Sequence, residues 1–489
     1  MFVLKSKVSL ACALLALISL LFNQLAHARH SRQTRQPPQK LNVLFIAVDD
    51  LNTALSAFGH PVVKSPNIDR LARRSVLFRR AYTQFPWCNP SRTSLLSGLR
   101  PDRTGVFDND TAPRTNLSDH VFLPEHFKRN GYFTARVGKI YHEAPSLKGA
   151  QNDPRSWNVT EQGRANPKQT LVQRQIVQGR GTRLGLEWNI YEATDENTTE
   201  GAVARRIAQL MEERAKTNQP FFLAAGFRKP HLKWDAPKRY FDLYDPAQIP
   251  LPQEPPDHLH NVPRAAAPYL NQKGSPLKDD EWRQALRAYY ACISFMDAQV
   301  GVLLDQMDRL KLWDNTVVVF FGDHGYNLGE HGGAWEKVKL WEESLNAPLI
   351  IAAPKAKGAG KASQRTVELL DIYPTLVEMC NLPSSSSRRL EGRSLLPLLQ
   401  NPGAAWNKPA YSMVGTPAQG GRSVRTEAWH YVKWTRGEGG EQLYDMQRDP
   451  REYRNLAGDP KYAKTIAEMR RLLEQERQVT TPKTMMLQR

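Results

Sequence analysis

The chain has 489 residues, 40% of them hydrophobic and 24% charged, a balance that excludes a low-complexity or collagen-like protein and supplies a large buried core. Length alone suits two or three domains, or one large α/β unit with a satellite. The formal charge of +18 either attracts polyanions or reflects a generally basic surface, on which Lys/Arg runs such as "LARRSVLFRR" are solvated faces.

Lys5 and Lys7 precede an apolar stretch from Val8 to Leu21, and Ala26-His27-Ala28 has the small-x-small pattern of a cleavage site. Residues 1–28 therefore read as a secretory signal peptide, too short to span a bilayer comfortably, with an uncleaved anchor as the other reading. The expected location is secreted or periplasmic, with no stable membrane insertion after cleavage. Loss of the two lysines takes the charge from +18 to about +16, and outside the cell sulfated or carboxylated polysaccharides are nearer partners than nucleic acid. Residues 29–40, "RHSRQTRQPPQK", form a flexible leader, and the fold starts near Leu41.

Four apolar runs of strand length end in polar groups: "LNVLFIAVDD", "YFTARVGKIYH", "PFFLAAGFRKPH" and "TVVVFFGDHG". Amphipathic helical patterns lie between and around them at Pro66 to Arg74, Pro124 to Asn130, Glu200 to Lys216 and Asp279 to Leu310. Strands buried on both faces and alternating with helices predict a mostly parallel sheet covered on each side. Ligands of such sheets sit beyond the carboxyl ends of the strands. That rule gathers Asp49, Asp50, Lys139, His142, His231, Asp323 and His324 at one rim.

Past "SSSSRR" and "LEGRSLLPLLQNP", shorter strand-like pieces ("AYSMVG", "RSVRTEAWHYVKWT", "EQLYDM") lead to a terminal helix from Lys461 to Arg477. The expected division is a larger domain over 41–400 and a smaller α+β domain with an antiparallel sheet over 401–489.

Two adjacent carboxylates ending an apolar strand repel each other unless a cation sits between them, so Asp49-Asp50 reads as half of a hard-metal site, or as one helix cap and one solvated acid. Asp323 and His324, between glycines, repeat the arrangement at a second strand end. Together the two ends suit Ca²⁺ or Mg²⁺ and lack the Cys/His set of a structural zinc site.

Signal cleavage removes Cys12 and leaves Cys88, Cys292 and Cys380. Cys292 and Cys380 lie in apolar helical patterns and read as small buried hydrophobes. Cys88 sits in "FPWCNPSRTSLLSGLRP", where Asn89 can cap a helix and Pro90 can occupy its first turn. Residue 88 is thereby expected at a helix N-terminus, which favours an anion, with Arg92 projecting from the first turn. A thiolate matches a hard divalent cation poorly; an oxygen nucleophile suits such a site better.

"CNPSRTSLLSG" resembles the type I sulfatase signature, C-x-P-S-R with a Gly six residues after the Arg. In that family the Cys is oxidised to formylglycine (3-oxoalanine) by a formylglycine-generating enzyme, and the aldehyde hydrate attacks the sulfate sulfur. "SPNIDRLARRSVLFRRAYTQ" and "QLYDMQRDPREYRNLAGDP" resemble other sulfatase segments, and the likeness runs from about Leu41 to Leu473. "GKIYH", "RKPH" and "DHGYNLGEHG" look most like the iduronate-2-sulfatase group and its bacterial relatives.

The resemblance implies an alkaline-phosphatase-like fold, a large mixed and mostly parallel sheet between helices with a smaller C-terminal α+β domain. It implies one Ca²⁺ held by Asp49, Asp50, residue 88, Asp323 and His324. Arg92 would steady the hydrate, Lys139 and His142 would face nucleophile and sulfate, and His231 would bind sulfate. Lys337 of "HGGAWEKVKLW" matches the sulfate-binding lysine of W-x-K, but one extra residue precedes the Trp, so Lys339 is a rival. Attack at sulfur builds charge on the leaving alkoxide, which fixed cations stabilise; His142 as base could then free sulfate and restore the aldehyde. The implied substrate is a sulfated saccharide, such as a sulfated uronic acid or a related algal or glycosaminoglycan unit. Two other readings stand: a phosphonate or phosphate monoester hydrolase of the same superfamily, and a non-catalytic binder of sulfated polysaccharide. Glu330 and His331 receive no role, and sequons at Asn109, Asn116, Asn158 and Asn197 matter only where the source glycosylates.

Overall fold

The run "NVLFIAV" forms β1 (Asn42–Val48), buried at every position, and the rest of a large sheet is built around it. The computed structural model describes residues 40–480 apart from 150–152, 166–168, 180–181, 183–184, 272–275, 385–388 and 436–438. The signal peptide, the leader up to residue 39 and most of "SSSSRR" lie outside the described residues.

Further strands follow in chain order. They are β2 (Val76–Tyr82), β3 (Phe133–Gly138), β4 (Val159–Glu161), β5 (Thr170–Val177), β6 (Leu186–Glu192), β7 (Phe221–Phe227), β8 (Trp234–Pro237), β9 (Thr316–Gly322), β10 (Leu349–Ala352) and β11 (Lys361–Glu368). The main sheet has the order β11-β2-β10-β9-β1-β7-β3-β4. Only β10 runs against its neighbours, β2 and β9; the other pairs are parallel. This is the expected mixed, mostly parallel sheet.

Both faces are covered, and the period-two alternation of β1 shows how. Leu44, Ile46 and Val48 join the cluster beneath the long helix, whereas Val43, Phe45 and Ala47 join the cluster of Leu95, Leu96 and Tyr373 on the opposite side. The helices that matter here are α1 (Pro66–Ala72), α2 (Cys88–Ser97), α3 (Leu123–Arg129), α4 (Thr199–Ala215) and α5 (Asp279–Arg309). Four of them coincide with the predicted amphipathic stretches; Thr198 caps α4 by accepting from the Gly201 amide at 3.0 Å.

β5, β6 and β8 form a separate three-stranded sheet that the sequence reading did not anticipate. The β5 stretch carries exposed Leu171, Val172 and Ile176 and shows no alternation between an apolar and a polar face. The expected antiparallel sheet is present as β12 (Ala410–Gly415), β13 (Gly420–Arg425), β14 (Trp429–Trp434) and β15 (Gly440–Asp445). "RSVRTEAWHYVKWT", read as one piece, is two strands, with the turn closed by Thr426 N–H to Trp429 O at 2.9 Å. The terminal helix α6 (Ala463–Thr480) lays Ile466, Met469 and Leu473 on Val424, Tyr431 and Leu443.

The described residues from Leu41 onward pack as one unit. Glu368, at the end of β11, ties the two sheets: its carboxylate accepts from Arg100 Nη1 at 2.6 Å and Nη2 at 2.8 Å, from Lys408, and from the Tyr411 amide of β12 at 3.0 Å. Among the described residues no helix is long and apolar enough to cross a membrane.

Candidate active site

Four parallel strands end side by side, and the ladder continues one residue past their ends. Asp49 N–H bonds Phe227 O at 3.1 Å, Asp323 N–H bonds Val48 O at 3.1 Å, and Lys139 N–H bonds Gly226 O at 3.0 Å. The β3 and β7 exits approach so closely that a Cβ on Gly138 would lie 2.2 Å from Gly226 O, so a side chain is excluded there. The rim predicted from the sequence is thus assembled: Asp49 and Asp50 leave β1, Lys139 and His142 leave β3, His231 follows β7, and Asp323 and His324 leave β9.

The helix bearing Cys88 starts at that residue, with Trp87 as N-cap, which corrects the expectation that Asn89 caps it. Asn89 lies inside the first turn, where its amide N–H donates to Asn109 Oδ1 at 3.1 Å and its side-chain Nδ2 donates to Asp108 O at 2.9 Å and Thr111 O at 2.7 Å. The cap therefore arrives from a loop twenty residues downstream in sequence, a long-range partner no local motif reveals.

Cys88 Sγ is buried 3.4 Å from Asp49 Oδ1, 3.5 Å from His324 Nε2 and 3.5 Å from Lys337 Nζ. One turn on, Arg92 is consumed by the fold. Its Nε donates to Asp323 Oδ2 at 2.8 Å, Nη1 to the carbonyls of Lys139 and Ile140 at 2.8 and 2.9 Å, and Nη2 to Asp49 Oδ1 at 3.3 Å. Ser91 Oγ donates to the Asp323 carbonyl, so α2 is locked to the β9 exit.

Charge in this pocket is closely balanced. Burial pushes Asp49 up, but Lys139, His231, Arg92 and Lys337 outweigh it and hold the carboxyl well below its usual range. Burial and Asp49 push the Cys88 thiol up, yet Lys139, Lys337 and a hydrogen bond with His142 bring it well below the ordinary thiol value. Burial lowers His324, and Asp323 with Cys88 and Asp50 reverses that, raising it to about 9. Burial raises Asp323 beyond what Arg92 and His324 offset, with Asp49 adding repulsion. The converging carboxylates of Asp49, Asp50 and Asp323 are oxygen donors of the kind that a divalent cation takes up.

Asp49, Cys88, Asp323 and His324 each offer a donor atom within 4.8 Å of one another, and Asp50, Cys88 and His231 form a second such group. His324 Nδ1 is taken by Gly325 O at 2.8 Å, which turns Nε2 to the pocket, 3.5 Å from Asp50 Oδ1 and 3.6 Å from Asp323 Oδ2. Carboxylate oxygens with one imidazole fit a hard divalent cation and do not fit a structural zinc site.

Lys337 pairs with Asp50, whereas Lys339 donates to Glu336 at 2.6 Å and lies over the Tyr269 ring. His142 is buried, and its Nδ1 has no hydrogen-bond partner among the described residues. His231 stands at the mouth with Nε2 3.8 Å from Asp50 Oδ2 and Nδ1 2.6 Å from Leu232 O. Cys292 and Cys380 are buried and free, as expected.

Sequence reasoning missed Tyr289 of α5. Its hydroxyl donates to Asp50 O at 2.7 Å and accepts from Asn52 N–H at 3.0 Å, holding Asp50 at a left-handed φ of 58°. It also passed over Glu143, next to His142. A cavity of about 940 Å³ lies elsewhere, lined by Asp257, Trp434 and Tyr453 among others; converging chemistry, not volume, marks the candidate active site.

The sulfatase family model matches residues 41–382, and the model described as N-sulphoglucosamine sulphohydrolase, C-terminal, matches residues 329–479. A sulfatase of Formosa agariphila is 33% identical over 465 residues, covering 90% of this chain and 88% of that one. Iduronate 2-sulfatase of Homo sapiens is 33% identical over 394 residues, covering 75% of this chain and 70% of that one. Among solved structures, the phosphonate monoester hydrolase of Agrobacterium radiobacter superposes with a TM-score of 0.75 at 21% identity, covering 90% and 96% of the two chains. A 2-O GAG sulfatase superposes with a TM-score of 0.70 at 24% identity, covering 91% and 93%. The fold is alkaline-phosphatase-like. The first family match spans every rim residue from Asp49 to Lys337, and the chain belongs to the sulfatases, the sulfuric ester hydrolases.

Proposed function

We propose that this sulfatase hydrolyses sulfate esters of a sulfated saccharide, using one Ca²⁺ and a formylglycine made from Cys88 by a formylglycine-generating enzyme. The observation that carries this reading is the meeting of Cys88, Asp49, Asp323, His324 and Lys337 in one buried pocket. A sulfated uronic acid, or a related algal or glycosaminoglycan unit, is the favoured substrate, supported by the likeness to an iduronate 2-sulfatase. The apolar Val8–Leu21 stretch and the Ala26-His27-Ala28 pattern support export.

Asp49, Asp50, Asp323, His324 and residue 88 would hold the cation. When present, the cation supplies positive charge beside a sulfate oxygen and the converted side chain supplies an oxygen nucleophile, whose place the Cys88 sulfur marks here. Arg92 keeps Asp49 and Asp323 in register with α2. Lys139 and Lys337 bring ammonium groups to where negative charge develops, favouring the transition state over the ground state. His231, at the mouth, binds the incoming sulfate. His142, beside residue 88, takes up the proton whose removal allows sulfate to leave.

Peptide mass spectrometry of the segment holding residue 88 should show loss of the thiol and gain of an aldehyde. The purified enzyme should turn over an aryl sulfate faster than an aryl phosphate or phosphonate; the opposite order favours the monoester hydrolase reading. Cys88→Ala should abolish sulfate release without unfolding, and an undiminished rate would refute the mechanism.

A further inference from the structure

Beyond Lys139 N–H to Gly226 O, residues 140–143 and 228–231 share no backbone hydrogen bond among the described residues. These two segments carry His142 and His231, so something other than the sheet must fix their separation. One carboxylate joins them. Glu143 Oε2 forms an ion pair with Arg228, the first residue after β7. Its other oxygen lies 3.5 Å from Nη1 of Arg136, which is buried within β3 and donates to Gly138 O at 2.6 Å. The 228–231 turn is itself closed by His231 N–H to Arg228 O at 2.8 Å, so restraining Arg228 restrains His231.

The Glu143 side chain is 13% exposed against 42% for Arg228, which sets this pair apart from a surface ion pair worth little. Burial raises the Glu143 carboxyl, and Arg228, Gln162 and Arg136 overcome that and keep it below its usual range. Glu143 reaches neither Cys88 nor the carboxylates of the pocket, and the mechanism above leaves it unused.

We propose that Glu143, clamped between Arg136 and Arg228, is a positioning residue that sets the distance between His142, buried beside residue 88, and His231 at the mouth of the active site. The inference rests on the roles given above to those two histidines. Displacing a catalytic group by about 1 Å costs on the order of 100-fold in rate, and a neutral side chain at 143 would leave two guanidinium groups facing each other.

The test uses the converted, calcium-loaded enzyme with 4-nitrophenyl sulfate. Glu143→Gln and Arg228→Gln should each lower kcat roughly 10- to 100-fold and also raise KM, because the sulfate-binding His231 is displaced together with His142. Their double variant should be no slower than the worse single one, because the pair acts as a unit. Glu143→Asp, which keeps the charge, should recover part of the rate. The proposal is overturned if either single variant keeps the parental kcat, if the double variant shows the product of the two losses, or if only thermal stability falls. Arg228→Gln, on the exposed side, keeps the test open should Glu143→Gln fold poorly. His142→Ala and His231→Ala separate this inference from the reading beneath it: parental rates in both would sink the histidine roles themselves, whatever residue 143 does.

Discussion

The Lys337 ammonium lies 3.5 Å from the Cys88 sulfur and against Asp50. Lys339, two residues on, is turned onto Glu336. Between them Val338 adopts φ 67° and donates its N–H to Pro86 O at 2.9 Å, and that local twist sends the two lysines different ways. Lys337→Met should lower kcat/KM by about 100- to 1000-fold, the scale for removing one charge-stabilising donor, while Lys339→Met changes it less than about 3-fold. Steady-state kinetics on an aryl sulfate decide this, and the reverse ranking would assign the role to Lys339.

Chelation should abolish turnover, and Ca²⁺ should restore it. A ligand that binds only the folded state stabilises by about 2.7 kcal/mol at a hundred times its Kd, so Ca²⁺ should also raise the thermal midpoint. In an Asp49→Asn/Asp323→Asn double variant that calcium-dependent rise should vanish, a readout independent of catalysis.

Gly226→Ala should inactivate the enzyme. The added Cβ would fall 2.3 to 2.4 Å from the backbone N, C and O of Lys139, atoms that cannot swing aside, so the β3 and β7 exits would be forced apart. Overpacking of this kind costs about 1–3 kcal/mol, and circular dichroism melting alongside kinetics would show both losses. Gly458→Ala, where a Cβ meets nothing within 4 Å, should leave melting temperature and rate unchanged.

Acid should unfold the protein partly through Glu368. Burial raises this carboxyl, but Arg100 and Lys408 hold it below its ordinary value of 4.5. A carboxyl lowered by folding contributes stability above the unfolded value, which is lost as pH falls below about 4.5. Glu368→Gln removes the carboxylate that Arg100 and Lys408 share, leaving Arg100 with Glu476 and Lys408 with Asp371, and should cost about 1–3 kcal/mol at pH 7. Urea unfolding from pH 2 to 7, spanning the range between the ordinary 4.5 and the folded value of about 2, should show the variant less stable at neutral pH and its pH dependence flatter below pH 4.5.

The main sheet was legible where strands are buried on both faces. "NVLFIAV" and "TVVVFFG" are unbroken apolar runs because neither touches water, and the polar residues after them mark the rim. β2 was legible only through the likeness of "SPNIDRLARRSVLFRRAYTQ" to a sulfatase helix-strand segment, and β11 was not legible at all: "VLFRRAY" and "KASQRTVE" carry partly or fully exposed polar positions, which blur the pattern. The antiparallel direction of β10 depends on tertiary pairing that four residues, "LIIA", do not encode.

Most of the pocket was likewise written at strand ends and in the motif around Cys88. What escaped were supports from distant segments: Asn109 on the Asn89 amide, Tyr289 on Asp50, and Arg228 on Glu143. Each is an ordinary residue type whose partner lies in another part of the chain, so no spacing rule exposes it.

Cys88 is separated by 236 positions from His324 and by 249 from Lys337. At roughly 5–20 residues per second of ribosomal elongation, the last wall of the pocket emerges on the order of tens of seconds after the thiol does. Over that interval of synthesis residue 88 has no finished enclosure, and the opportunity to alter it chemically closes only when the second half of the polypeptide arrives.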